Sequence, residues 1–421
     1  MEKAFSSAHL LALVMRLFTG FVFHKISFGL LSVLLPLYIT QAINGGNLSV
    51  WGLIASVATF VAIPFSFLWG YLCDATRRYR FFILLSFAAV TSLLYIFSLT
   101  SDLLLLGIVY VFIVVFQVAY EPSKNVLIAE NYSHGDWKRG FASYSALTQI
   151  GWVAGLFLGF LLTLCGFTSA TLLTLCIALS FASFILSAIF VNDPALAFER
   201  GLVTIERSFS LVQRGTELIA RLNFDQYDSG ELNRENVYAL CFGLMFFSLA
   251  TSMFLTPLPI FFAQSLALPT STIFALFLIN SLGCLIGYVL MKRNHDNVKE
   301  TSTTIRVALI RGILVFSLLF VGYLSFTWAI LLSICVLVLS GFVYAFYSVS
   351  VLSLSMEVIP RGKTGIFTAI LGAGSGIGCL TGPVIAENFG FSYTFIASAA
   401  CFLSSFVVFK IFTRSRYTEL M

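Results

Sequence analysis

Twelve stretches of about twenty mostly apolar residues run through this chain of 421, and each is long enough to cross a bilayer. Their expected limits are 17–42, 49–71, 80–99, 103–129, 139–164, 167–191, 236–264, 270–291, 307–325, 327–356, 362–386 and 390–412. Only 10% of the residues are charged and 59% are hydrophobic, whereas a water-soluble domain carries roughly 25% charge. The chain therefore reads as an all-α membrane protein, in contact with membrane lipids along most of its length.

The basic residues orient it. With an even number of spans both termini share one side, and the loops on the other side fall near 43–48, 100–102, 165–166, 265–269, 326 and 387–389. None of the 24 Lys and Arg lies in those loops, where Asp102 and Glu387 are the only charges. Both ends are thus expected in the cytoplasm, with the protein in the cell membrane. Trp51 and Trp328 mark one interface and Trp69 and Trp137 the other, as an aromatic belt does. The net charge of +5 is spread over many loops, so no nucleic-acid partner is expected.

Eight cysteines are scattered through or beside the apolar runs, with no C-x-x-C and no Cys/His cluster. They read as small core hydrophobes, and neither a disulfide, a metal nor a cofactor is expected. No cleavable leader is read at the start, because the first apolar run passes thirty residues without a small-x-small site. Enzyme motifs fail as well. Gly362-Lys363-Thr364 resembles the end of a phosphate-binding loop, but Glu357 stands where its first glycine must be, and no H-E-x-x-H occurs.

Residues 192–235 interrupt the pattern with five Arg and eight Asp/Glu, dividing a six-helix bundle at 1–191 from another at 236–421. Within this cytoplasmic loop Leu202, Ile205, Phe209, Val212, Ile219 and Leu222 form one helical stripe, with Arg200, Arg207, Arg214 and Arg221 opposite. An amphipathic helix along the membrane or protein face is expected. The halves echo each other. Lys138-Arg139-Gly140-Phe141, then Gly151, returns as Lys363-Thr364-Gly365-Ile366, then Gly376, and Gly70-Tyr71-Leu72 returns as Gly287-Tyr288-Val289. Six-span repeats are typical of transporters that hold substrate between halves near the midplane.

Gly70-Tyr71-Leu72-Cys73-Asp74-Ala75-Thr76-Arg77-Arg78-Tyr79-Arg80 reads as a short charged loop between the second and third runs. It resembles the G-x-L-x-D-R-x-G-R-[RK] signature of the major facilitator superfamily of transporters. Gly70, Leu72, Asp74 and Arg78 match, while Arg77 replaces the second glycine. Residues 119–160 are similar to the drug–proton antiporter group of that superfamily, through Pro122, Ile128-Ala129-Glu130, Arg139-Gly140 and Gly151, Gly155 and Gly159. The Gly-Pro usual in span 5 of that group is Gly155-Leu156 here; a Gly-Pro occurs at Gly382-Pro383 instead. The resemblance implies twelve helices in two six-helix halves and a monomer working by alternating access. It implies a central cavity lined by spans 1, 4, 7 and 10. It also implies a gating latch built on Gly70, Asp74, Arg77 and Arg78.

Ionisable groups deep in a bilayer cost at least ~2.5–3.5 kcal/mol each, so each needs a partner or a purpose. His24 and Lys25 in span 1 and Glu121 and Lys124 in span 4 stand out. Gln117, Glu121 and Lys124 share one face at i, i+4 and i+7 spacing. Lys25, Glu121 and Lys124 are the substrate or proton candidates. For Glu121 and Lys124 the alternative is an ion pair that merely neutralises itself. Burial favours a protonated Glu121 and a nearby lysine favours its carboxylate, which makes Glu121 the expected proton carrier. His24 reads equally as a structural hydrogen bonder. Span 10 offers Tyr344, Tyr347, Ser348 and Ser350 where span 4 has its charges, and Tyr344 and Tyr347 join the substrate candidates. Arg16, Arg306 and Arg311 are expected near span ends, snorkelling to headgroups. Glycine ridges at 151/155/159 and 374/378/382 permit close helix contact, and Pro36, Pro64, Pro122, Pro257 and Pro259 are expected to kink or unwind their spans.

The chain is read as a secondary transporter, not an enzyme, with a small-molecule substrate and protons as its expected partners. The leading expectation is proton-coupled export (antiport, efflux) of a small, partly lipophilic compound. Uptake of an organic anion held by Lys25 or Lys124 is the alternative, and a non-transporting membrane receptor signalling through 192–235 is the rival from another class.

Overall fold

The computed structural model describes residues 2–131, 137–193, 234–293, 300–358 and 364–418, and these contain helices and no strand. Among the described residues twelve helices are long and apolar enough to cross a membrane. Numbered as spans 1 to 12, they run Phe18–Ala42, Leu48–Thr76, Tyr79–Leu99, Leu103–Ile128, Ser143–Leu164, Ser169–Phe190, Ala239–Gln264, Thr270–Met291, Thr301–Tyr323, Phe326–Leu352, Thr368–Phe389 and Phe391–Ile411. The amphipathic helix expected over 202–222 lies outside the described residues.

Two boundaries differ from the hydropathy pattern in ways that matter. Span 2 runs on to Thr76, so Gly70 to Thr76 form its last two turns and the expected charged loop shrinks to Arg77 and Arg78. Arg77 ends the helix. It takes the left-handed conformation (φ 54°) while its amide donates to the Cys73 carbonyl at 2.8 Å, the geometry of an αL cap. Span 9 begins at Thr301 instead of 307. Threonine hydroxyls can bond back to the preceding turn, so a polar Thr-rich stretch stays helical inside a bundle; Thr304 is buried there.

Spans 4 and 7 are broken, each beside a proline. Span 4 consists of Leu103–Gln117 and Tyr120–Asn131, with Pro122 in the first turn of the second segment. Carbonyls near such a break must find other donors inside a membrane. The Trp69 indole N–H donates to the Val115 carbonyl at 3.0 Å, and the Ser86 hydroxyl to the Phe116 carbonyl at 2.7 Å. Span 7 breaks at Pro257 into Arg234–Leu255 and Leu258–Gln264. Pro36 and Pro64, by contrast, stay inside unbroken helices.

Packing follows one pattern twice. Span 1 lies against spans 5 and 6, span 3 against 4 and 6, and span 2 against 4; span 7 lies against 11 and 12, span 9 against 10 and 12, and span 8 against 10. The glycine ridges make this possible. A methyl at Gly155 would overlap the Ile26 carbonyl of span 1, and one at Gly378 the Leu249 carbonyl of span 7. Gly159 departs from the ridge reading, since it lies under the Phe274 ring of span 8.

Spans 2 and 11 and spans 5 and 8 join the two sets. At the end carrying residues 43–47, the Ser49 amide in the first turn of span 2 donates to the Glu387 carboxylate of span 11 at 2.6 Å. Gln149 of span 5 donates to the Ser281 carbonyl of span 8 at 3.3 Å. Trp328 is exposed as a belt residue should be, but Trp51 is buried against Tyr110, because span 2 turns that face toward span 4.

Candidate functional site

The break in span 4 sets up the first cluster. The segment that starts at Tyr120 carries Tyr120, Glu121 and Lys124 toward spans 1 and 5. Lys124 and Glu121 form an ion pair, the self-neutralising contact that their spacing allows. The Tyr120 hydroxyl lies within hydrogen-bonding reach of the Glu121 carboxylate. Lys124 also sits 5.3 Å from the centre of the Tyr144 ring of span 5. The Glu121 side chain is 38% exposed and that of Lys124 13%, so the carboxylate is the more open member of the pair.

Lys25 completes the cluster from span 1. Its ammonium lies 5.9 Å from the Tyr120 ring and 6.0 Å from the Trp152 ring, cation–π contacts on either side. It is within electrostatic reach of Glu121 and Lys124, yet among the described residues no carboxylate pairs with it. By the expected span limits Lys25 lies eight residues into span 1 and Glu121 eight residues from the end of span 4 on the same side, a matched depth of roughly 12 Å, and Lys25, Glu121 and Lys124 do come together.

His24 points elsewhere. It is buried, stacks on Phe87 at 4.5 Å and touches Phe28 and Tyr120, and neither ring nitrogen has a hydrogen-bond partner. The hydrogen-bonding role weighed for it is not what this geometry provides. Gln117 is also separate. It ends the first segment of span 4, so the break interrupts the i, i+4 register expected of an unbroken helix.

Tyr344 and Tyr347 form a second cluster, in the other half, around a residue misplaced by the sequence reading. Arg311 does not snorkel. With span 9 starting at Thr301 it lies roughly 15 Å along the helix, and it is buried, only 2% exposed. Its guanidinium lies 5.1 Å from the Tyr344 ring, 5.3 Å from Phe402 and 5.4 Å from Phe247. Tyr347 stacks on Phe247 at 3.5 Å. Arg306, one turn earlier, is exposed as a snorkelling residue should be; the side chain of Arg16 lies outside the described residues.

The sequence profile of the Major Facilitator Superfamily matches residues 17–372, most of the chain. The chain belongs to the major facilitator superfamily. Solved structures of this superfamily share its fold at low identity. The nucleoside transporter NupG is 13% identical with a TM-score of 0.67, covering 95% of this chain and 99% of its own. The human organic anion transporter MFSD10 (TETRAN) is 15% identical with a TM-score of 0.68, again covering 95% and 99%. The xylose transporter XylE from E. coli, in a partially occluded inward-open conformation, is 12% identical with a TM-score of 0.69, covering 94% and 97%. No curated protein sequence matches significantly.

The superfamily signature explains Arg77. In the pattern its position is a glycine, and here the backbone adopts the left-handed conformation that glycine takes without strain. Gly70 stands where span 2 passes span 4, a Cβ there falling 4.0 Å from Pro122. Asp74 and Arg78 are exposed and form no ion pair with each other in this conformation. The contacts that join span 2 to span 11 involve Ser49, Gly52, Phe60 and Ile63, toward the opposite end. Tyr120, Tyr144, Trp152 and Arg311 escaped the sequence reading. For Arg311 a signal existed in the Thr-rich run before it; aromatic residues inside apolar runs offered none.

Proposed function

We propose that this membrane transporter moves a small organic anion with an apolar body, coupled to protons through Glu121. The supporting observation is the charge balance of the first cluster, where Glu121 is engaged by Lys124 and Lys25 has no paired carboxylate among the described residues. A carboxylate entering between Tyr120 and Trp152 would meet an ammonium that no carboxylate pairs among the described residues, and the rings would accept its apolar body. A lipophilic cation would find Glu121 already neutralised, which disfavours the drug-export reading.

Coupling follows from competition for the same cations. An anion that draws Lys25 and Lys124 away from Glu121 raises the cost of keeping Glu121 ionised within a membrane span, so anion and proton bind together. That sign corresponds to symport and therefore to uptake driven by an inward proton gradient. This direction takes both termini as cytoplasmic, the reading that the basic-residue asymmetry supports. One fold relative, MFSD10, is an organic anion transporter, in agreement with this reading, but the nucleoside and xylose transporters share the fold equally well.

Benzoate, benzamide and benzylamine share a ring and differ in charge, which makes them a direct test. In proteoliposomes benzoate should exchange fastest and accumulate when the outside is acidified. Glu121→Gln should keep downhill benzoate flux and lose the accumulation. Preference for benzylamine, or gradient-driven accumulation by Glu121→Gln, would overturn the proposal.

A further inference from the structure

We propose that Arg311 is a second anion-binding residue, in the second half, reached when the Tyr344 ring swings off it. The proposal rests on the organic-anion reading above and extends it to a substrate with two separated anionic groups, one for Lys25 and one for Arg311.

A guanidinium remains charged in any protein environment and presents five N–H donors. Those of Arg311 meet two neutral acceptors. Nη1 donates to Thr251 Oγ1 at 3.0 Å, while Nε and Nη2 both donate to Ser340 Oγ, at 3.4 and 3.2 Å. No carboxylate pairs with it among the described residues. A buried cation satisfied by two hydroxyls and three ring faces is poorly compensated, since neutral partners do not return the cost of taking a charge out of water.

The neighbouring residues show how an anion would reach it. Phe247, Phe402 and Tyr347 are buried in the bundle, but Tyr344 is 37% exposed although its ring covers the guanidinium. Tyr344 is therefore the one wall that can move without opening the core. With Nε and one N–H of each Nη engaged by Ser340 and Thr251, the second N–H of Nη1 and of Nη2 remain as an end-on pair that a carboxylate can take once the ring moves. Tyr347 and Ser350, also on span 10, carry buried hydroxyls with no hydrogen-bond partner, a further pair of donors for an anion lying along that helix. Lys25 in one half and Arg311 in the other give a two-charged substrate a contact on each side, so its binding would tie the halves together.

Binding of butyrate-to-decanoate monocarboxylates and the corresponding α,ω-dicarboxylates to the purified transporter tests this. At the best length the dicarboxylate should bind about 10- to 100-fold more tightly, the worth of one charge-assisted contact. Arg311→Gln should erase that margin and leave monocarboxylate affinity unchanged; Arg311→Lys should keep part of it. Equal affinities for the two series in the wild type, or a margin that survives Arg311→Gln in a monodisperse protein, would refute the second site. Should Arg311→Gln not fold, Tyr344→Ala decides: uncovering the guanidinium must strengthen dicarboxylate binding, and unchanged affinity refutes the idea. Loss of the benzoate-over-benzamide preference is a separate result and strikes the first-half reading alone.

Discussion

Neutralising Glu121 and Lys124 singly and together should give strongly unequal costs, because a third charge stands beside them. At an effective dielectric near 20, two charges 4 Å apart attract by about 4 kcal/mol. The Glu121 side chain is 38% exposed, and solvent screening reduces that attraction to about 2 kcal/mol. Glu121→Gln removes it and also leaves Lys124 and Lys25 repelling each other across one site, for a total of about 3 kcal/mol. Lys124→Met is milder. Lys25 is within reach of Glu121 and can take over part of the pairing, holding the loss to about 1 kcal/mol. The double variant returns the site to a single excess positive charge, as in the wild type, and should cost only about 1 kcal/mol. Equilibrium unfolding in mixed detergent and dodecyl sulfate micelles measures all three. Additive costs, or a Lys124→Met variant less stable than Glu121→Gln, would refute both the pairing and the role given to Lys25.

The helix end at Arg77 allows a cleaner backbone measurement: Arg77→Gly should be more stable than Arg77→Ala by about 1 kcal/mol, since both delete the side chain and only glycine relieves the left-handed strain. Equal stabilities would remove the strain argument. Asp74→Asn should slow turnover more than it weakens ligand binding if the signature acts as a latch between conformations, and wild-type flux in that variant would end the idea. In a cysteine-free background Asn44→Cys and Asn388→Cys should react with an impermeant thiol reagent from outside the cell, whereas Asn192→Cys should not; the reverse pattern would invert the orientation. Asn44 serves better than Asn47, whose side chain accepts from the Val50 amide and caps span 2.

Hydropathy alone located all twelve spans, because in a bilayer the sum of apolar side chains over about twenty residues outweighs any local preference. It misjudged the ends where a residue's polarity and its backbone conformation part company. Thr301 to Thr304 count as polar but continue a helix, and that error hid the depth of Arg311. Asp74 and its neighbours look like a loop by charge, although the chain keeps its helical hydrogen bonds until Arg77. The meeting of Lys25 with Glu121 was legible from matched depths in spans 1 and 4. The choice of Tyr120, Tyr144 and Trp152 as their walls was not, since 45 Phe and 16 Tyr offer many equivalent candidates and only tertiary packing selects among them. Nor could the pattern show that Gln117 would be separated from Glu121, because the offset depends on where the helix yields beside Pro122.

The hydrogen bond from Ser49 to Glu387 joins residues 338 positions apart, and any motion that parts span 2 from span 11 at that end must break it first. Its strength therefore enters the opening rate of that face without touching the substrate. An exposed charged contact of this kind is worth about a two- to fivefold change in how long the face stays shut. A residue far from the charged clusters would then act as a timer, setting how many substrate molecules sample the site before the transporter turns over.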